Sequence, residues 1–132
     1  MGNKRLDNLF KDGGFIKLNK RLIKILGLEP AVFLCELYSK YCYWEAKGMI
    51  DDKGFFFCTR EDMEKETGLS RGKQDRAIEK LEEFEIIKKI SYGMPAKRYF
   101  KFLNKGIDNL EHFIKKEEME EKYNSICWDN GI

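Results

Sequence analysis

Arg71, Lys73, Arg76 and Lys80 crowd into ten consecutive positions, and none of them falls on the stripe formed by Ala77, Ile78, Leu81 and Phe84. On a helical wheel Arg76 lies opposite that stripe, with Lys73 and Lys80 on one flank and Arg71 on the other; such cations suit phosphate oxygens, and the arginine fork can make two parallel hydrogen bonds to the edge of guanine. A second basic pair, Lys97-Arg98, follows Gly93-Met94-Pro95-Ala96. The chemistry implied is polyanion binding. Catalysis has little to work with. The lone histidine, His112, sits between Glu111 and Phe113, and no phosphate-cradling loop, nucleophile elbow or zinc-protease motif occurs. Glu82-Glu83 and Glu117-Glu118 are neighbours in sequence on helices, so their carboxylates diverge. The four cysteines, Cys35, Cys42, Cys58 and Cys127, lack the C-x-x-C spacing of a zinc site and are expected to be buried thiols in a reducing cytoplasm. The chain is expected to be no enzyme and to use no cofactor or metal.

The elements that must carry these cations can be read locally. Thr59 is a good N-cap, with acids in the first turn and Asp62 three residues on, so a helix should run over residues 60–67. Gly68 is placed for a left-handed C-cap, Leu69 for a buried turn residue and Ser70 for the next N-cap. A helix over residues 70–85 follows, its apolar stripe turned inward and its cations outward. The period then changes. Residues 86–92 and 98–103 are rich in β-branched and aromatic side chains around the 93–97 turn and predict a hairpin, with Tyr92 and Tyr99 packed beneath its tip or, as the second reading, stacking on a base. Phe55-Phe56-Phe57-Cys58, preceded by the Asp51-Asp52-Lys53-Gly54 turn, should add a third strand.

Upstream, residues 19–28 predict a short helix ending at Gly27, and Leu28-Glu29-Pro30 starts another that runs to about residue 47. That helix is apolar around most of its circumference, which fits either a central core helix or a homodimer surface. A C-terminal helix is expected over residues 107–124, followed by a loose tail. It packs back on the domain or pairs with a second copy. Residues 1–18 show no sustained period and read as a partly ordered basic arm able to follow a phosphate backbone.

At 132 residues the chain has the length of one domain, and 42% apolar content supports a core. The net charge of +2 carries little information, but its distribution does. Residues 1–27 hold seven Lys/Arg against two acids, residues 70–104 nine against five, and residues 105–132 four against seven. No apolar run follows Met1-Gly2-Asn3-Lys4-Arg5, and residues 31–44 are too short and too interrupted to span a bilayer, so neither secretion nor a membrane partner is expected.

The stretch from Phe57-Cys58-Thr59-Arg60-Glu61-Asp62 through Thr67-Gly68-Leu69-Ser70, Gln74, Ala77-Ile78, Leu81-Glu82 and Ile86-Ile87 to Gly93-Met94-Pro95-Ala96-Lys97-Arg98-Tyr99-Phe100 resembles the winged-helix domains of phage replisome-organiser and plasmid replication-initiator proteins. The resemblance covers roughly residues 50–104. Its specific part is the Asp52-Lys53-Gly54-Phe55-Phe56-Phe57 start combined with the Gly-x-Pro turn. Such domains usually place a small residue, commonly Gly, before the Ile-Ile strand, where Glu85 stands here. The implied fold is α+β and mainly helical: a winged helix-turn-helix with a small three-stranded antiparallel sheet and extra N- and C-terminal helices. The implied partner is double-stranded DNA, with replication proteins or a second copy alongside.

In winged-helix docking the second helix enters the major groove and the wing lies along neighbouring phosphates. Arg71 and Arg76 are then the expected base readers, with Gln74 beside them and Lys73 and Lys80 on phosphates. Gly72 lets the helix end approach the backbone, or simply accommodates the turn. Thr59, Arg60, Ser70, Lys97 and Arg98 hold phosphates and set register. Asp75 is read as orienting Arg71, as accepting from a cytosine amino group, or as serving solubility alone. Two other readings stand beside replication: a transcriptional regulator of the same fold, and a non-catalytic adaptor whose basic face meets an acidic protein.

Overall fold

The computed structural model describes residues 2–129, with side chains through residue 124. Six helices and three strands follow in the order α1 (Lys4–Lys11), α2 (Lys20–Leu26), α3 (Leu28–Ala46), β1 (Phe56–Phe57), α4 (Arg60–Thr67), α5 (Arg71–Glu83), β2 (Ile87–Tyr92), β3 (Lys97–Phe102) and α6 (Asn104–Asp129). The class is α+β and mainly helical, and the helix pair followed by a hairpin is consistent with a winged helix.

Local chemistry explains most boundaries. Thr59 Oγ1 accepts from the Asp62 amide at 3.0 Å and starts α4; Gly68, in the left-handed region at φ 77°, ends it. Ser70 occupies the cap position of α5 without a side-chain cap bond. The α5 helix stops at Glu83, so Phe84 leaves the expected apolar stripe and is exposed. In the turn before β1, Asp51 Oδ1 accepts from the amides of Lys53 and Phe55 at 2.9 and 2.8 Å.

The sheet order is β1-β3-β2, antiparallel throughout, so the last strand in sequence lies in the middle. Its inner face carries Phe56 and Phe100, paired across β1 and β3, and Ile87 opposite Phe102. These meet Phe33, Leu34 and Leu37 of α3, Met63 of α4, and Ala77, Ile78 and Leu81 of α5 in one core. The Phe33 and Phe100 rings meet edge to face at 5.8 Å. The α3 helix is therefore the central core helix, with Tyr38, Cys42 and Tyr43 left on its exposed side. Among the three cysteines whose side chains are described, Cys58 is buried, Cys35 half-buried and Cys42 exposed; the Cys127 side chain lies outside the described residues.

The ends of the chain differ from expectation. Residues 4–11 form a capped helix, Asn3 Oδ1 accepting from the Leu6 amide at 3.1 Å, yet α1 buries no residue. The α6 helix begins at Asn104 and continues to Asp129, through part of the stretch expected as a tail. Arg21 of α2 ties it back, its guanidinium reaching Glu121 at 2.9 Å and Glu117 at 3.4 Å.

Candidate nucleic-acid interface

The turn of α4 into α5 sets which side of α5 faces water. Gln74, Ala77, Ile78 and Leu81 are buried, and Arg71, Gly72, Lys73, Asp75, Arg76 and Glu79 are exposed on the other side. Arg71 and Arg76 take part in no ion pair among the described residues; Lys73 is 3.9 Å from Glu29 of α3. Ser70, exposed and with its hydroxyl free of any cap bond, stands at the helix start. A helix N-terminus with an adjacent hydroxyl and unpaired guanidinium groups is an anion-binding arrangement.

Gln74 belongs to the fold. Its side chain is fully buried, its Nε2 donating to the carbonyls of Leu69 at 2.9 Å and Arg60 at 3.0 Å, which clamps the α4–α5 turn. The expectation that it reaches the nucleic acid is corrected by that burial. The signal was available in the sequence, since position 74 lies one turn before Ile78 on the apolar stripe.

Arg98 is corrected in the same way. Instead of projecting from the hairpin, it is buried, Nη2 donating to Gln74 Oε1 at 3.0 Å and Nε to the Cys58 carbonyl at 3.0 Å. Its guanidinium lies 4.9 Å from the Phe100 ring centre and 6.0 Å from that of Phe33. Burial pushes its pKa below the ordinary arginine value, opposed by the neighbouring Cys58. Burial likewise pushes the Cys58 thiol up, against the pull of Arg98. Alternation predicts this inward side, because Arg98 shares strand parity with the buried Phe100.

Three further side chains are partly engaged. Arg60 is half-buried and its Nη2 meets Asp75 Oδ1 at 3.3 Å, so Asp75 holds Arg60, not Arg71. Thr59 is spent on its cap bond. Lys80 is half-buried, its Nζ 3.7 Å from where a Cβ on Gly27 would stand. Gly72 has ordinary room, since an added Cβ would come no closer than 3.5 Å to Arg76 Nη1. No turn strain requires a glycine there. Below Arg76 the helix turns acidic: Glu79, Glu82 and Glu83 line an open groove with Asp75 and Arg60.

The hairpin supplies the complementary charge. Residues 86–107 contain six Lys/Arg and no acid. Gly93 turns the chain at φ 95°, and Tyr92, Met94, Pro95, Ala96 and Lys97 are all exposed. Tyr92, 73% accessible, does not pack beneath the tip, whereas Tyr99 is half-buried against Phe57. The structure thus gathers Ser70, Arg71, Gly72, Lys73 and Arg76 at the start of α5, leaves Lys97 exposed on the hairpin with its Nζ 5.5 Å over the Phe57 ring, and withdraws Gln74 and Arg98.

No family model matches the chain, and no curated protein does. Two solved structures share its fold. One, described as the N-terminal domain of a DNA binding protein, superposes with a TM-score of 0.57 at 15% identity over 86% of this chain and 92% of that one. The other, described as the structure of a Rep-DNA complex, gives a TM-score of 0.58 at 15% identity with the same coverage.

Proposed function

We propose that the chain binds double-stranded DNA, with the first two turns of α5 in the major groove and the hairpin tip as a wing on flanking phosphates, in initiation or organisation of replication of the phage or plasmid type. The observation that carries this reading is the exposed set Arg71, Lys73 and Arg76 in the first two turns of α5, with Arg76 opposite the buried Gln74, Ala77, Ile78 and Leu81 and Arg71 and Lys73 on the two flanks of that face. Arg71 and Arg76 suit guanine edges, and Ser70, Lys73 and Lys97 suit phosphates. The acidic groove from Asp75 to Glu83 confines duplex contact to the N-terminal half of α5. A neighbour described as a Rep-DNA complex supports the replication role over transcriptional control.

Fluorescence anisotropy on duplexes at several salt concentrations tests the surface. Arg76→Ala should cost about 1–3 kcal/mol at the preferred site, and Lys97→Ala should weaken all sequences alike and lower the salt slope by about one. Wild-type binding by both variants would remove this face from consideration. Selection from a random duplex pool would supply the preferred site, and a palindrome among the winners would report two copies acting together.

A further inference from the structure

The sheet has a second face, of which the proposed duplex contact uses only Lys97 at the hairpin tip. Register sets Phe57, Tyr99 and Ile90 side by side across β1, β3 and β2, on the side opposite the buried Phe56 and Phe100. Strand alternation continues this outer face to Tyr92 and Lys97 at one end and to Lys88 and Lys101 at the other. The Phe57 and Tyr99 rings are 5.6 Å apart, and Trp44 backs Phe57 at 6.4 Å while its Nε1 donates to the Phe57 carbonyl at 2.7 Å. The platform is thereby held rigid.

Lysines frame these rings. Lys97 Nζ lies 5.5 Å over the Phe57 ring and Lys101 Nζ 5.2 Å over that of Phe55. None of Lys88, Lys97 and Lys101 joins an ion pair among the described residues, and neither β2 nor β3 carries an acid. Flat aromatic faces at strand spacing, bordered by unpaired ammonium groups, match a polymer that alternates planar rings with phosphates. Duplex DNA cannot use the rings, because its base faces are covered by stacking; a separated strand can. A second copy meeting this face by symmetry would set lysines against lysines. A separated strand of the DNA proposed for α5 is the occupant that follows, a choice that rests on that reading.

We propose that the outer face of the sheet, centred on Tyr92, Tyr99 and Phe57 and bordered by Lys88, Lys97 and Lys101, binds single-stranded DNA by base stacking and phosphate contact. This site shares Lys97 with the proposed wing and is otherwise distinct from the duplex surface on α5.

The experiment uses the full chain and a fluorescein-labelled oligo-dT of about twelve nucleotides, within the length one such platform covers. Saturable, salt-dependent binding is expected. Tyr92→Ala should weaken it about fivefold to a hundredfold, and Lys88→Ala should lower its salt slope by about 0.7. Both side chains are exposed, so both variants should fold, with unchanged thermal melting as the control. Arg76→Ala should leave oligo-dT affinity unchanged. Four results would each overturn the site: no saturable oligo-dT binding, wild-type affinity in both outer-face variants, parallel loss of oligo-dT and duplex binding in Arg76→Ala, or equal competition by a poly-glutamate peptide. Dissolution of a free-protein dimer by Tyr92→Ala in sedimentation would assign the face to a second copy instead.

Discussion

Arg98 Nη2 donates to Gln74 Oε1 across 3.0 Å, joining the central strand of the sheet to the helix that presents Arg71 and Arg76. Gln74 in turn holds both sides of the α4–α5 turn, so one buried chain of hydrogen bonds runs from hairpin to helix pair. Arg98→Ala should destabilise the fold by about 2–4 kcal/mol in urea titrations, because it strands the Gln74 and Cys58 oxygens in the core. A double-mutant cycle with Gln74→Ala should show coupling on the order of 1 kcal/mol or more. Duplex affinity should fall with Arg98→Ala, but the salt slope should not change, since Arg98 reaches no phosphate.

On the proposed duplex surface Asp75 opposes binding twice, by repelling phosphate and by occupying Arg60 at 3.3 Å. Asp75→Asn should raise affinity for all duplexes severalfold and steepen the salt dependence as Arg60 is released. The exposed pair itself contributes little to stability, so the melting temperature should move by no more than a degree or two.

Glu85 sits in the left-handed region at φ 56°, the one non-glycine residue there among the described residues, and its carbonyl accepts from the Gly106 amide at 3.0 Å. The approach is so close that a Cβ on Gly106 would stand 2.2 Å from the Glu85 oxygen, with backbone atoms also at 2.3 and 2.5 Å. Glu85→Gly should stabilise the fold by roughly 0.5–1 kcal/mol, the relief of the left-handed penalty outweighing backbone entropy and an exposed contact with Lys105. Gly106→Ala should destabilise by about 3 kcal/mol or displace α6. Thermal melting of the two variants in opposite directions checks both.

Glu36 is buried on α3, and its pKa is raised first by that burial, then by Glu66 and Asp62, against the pull of Lys40. A carboxyl whose folded pKa exceeds its unfolded value favours folding most below the unfolded value and loses that contribution as pH rises through the folded one. At a pH above the folded value the wild type lacks that contribution and bears the burial cost of the carboxylate. Glu36→Gln should melt higher than wild type at pH 7, and the gain should vanish below about pH 4, where the wild-type carboxyl is protonated in both states. Melting curves across that range measure it.

Much of this architecture was legible because each boundary has a local cause. The Thr59 cap, the left-handed Gly68 and the change from helical to alternating period at residue 86 place α4, α5 and the hairpin within a residue or two. The site was less legible, because residue type misleads where position decides. Glutamine and arginine suggest DNA contact, yet Gln74 lies on the helical apolar stripe and Arg98 on the inward parity of β3. The partner of Asp75 is not legible in sequence, since Arg71 stands one turn away on the same helix whereas Arg60 approaches only through the α4–α5 crossing. The outer sheet face depends on register between three strands, which no single stretch of sequence contains.

The placement of β3 between β1 and β2 also sets the order in which the molecule becomes competent during synthesis. Until residue 98 has left the ribosome, β1 has no neighbour, the Gln74 side-chain oxygen has no donor and the first helix pair has no sheet to rest on. The recognition helix can be made early, but it cannot be aimed until the hairpin closes behind it. A nascent chain carrying every residue of α5 thus still lacks the framework that aims this helix, and assembly of the proposed duplex surface is deferred until the central strand has been translated.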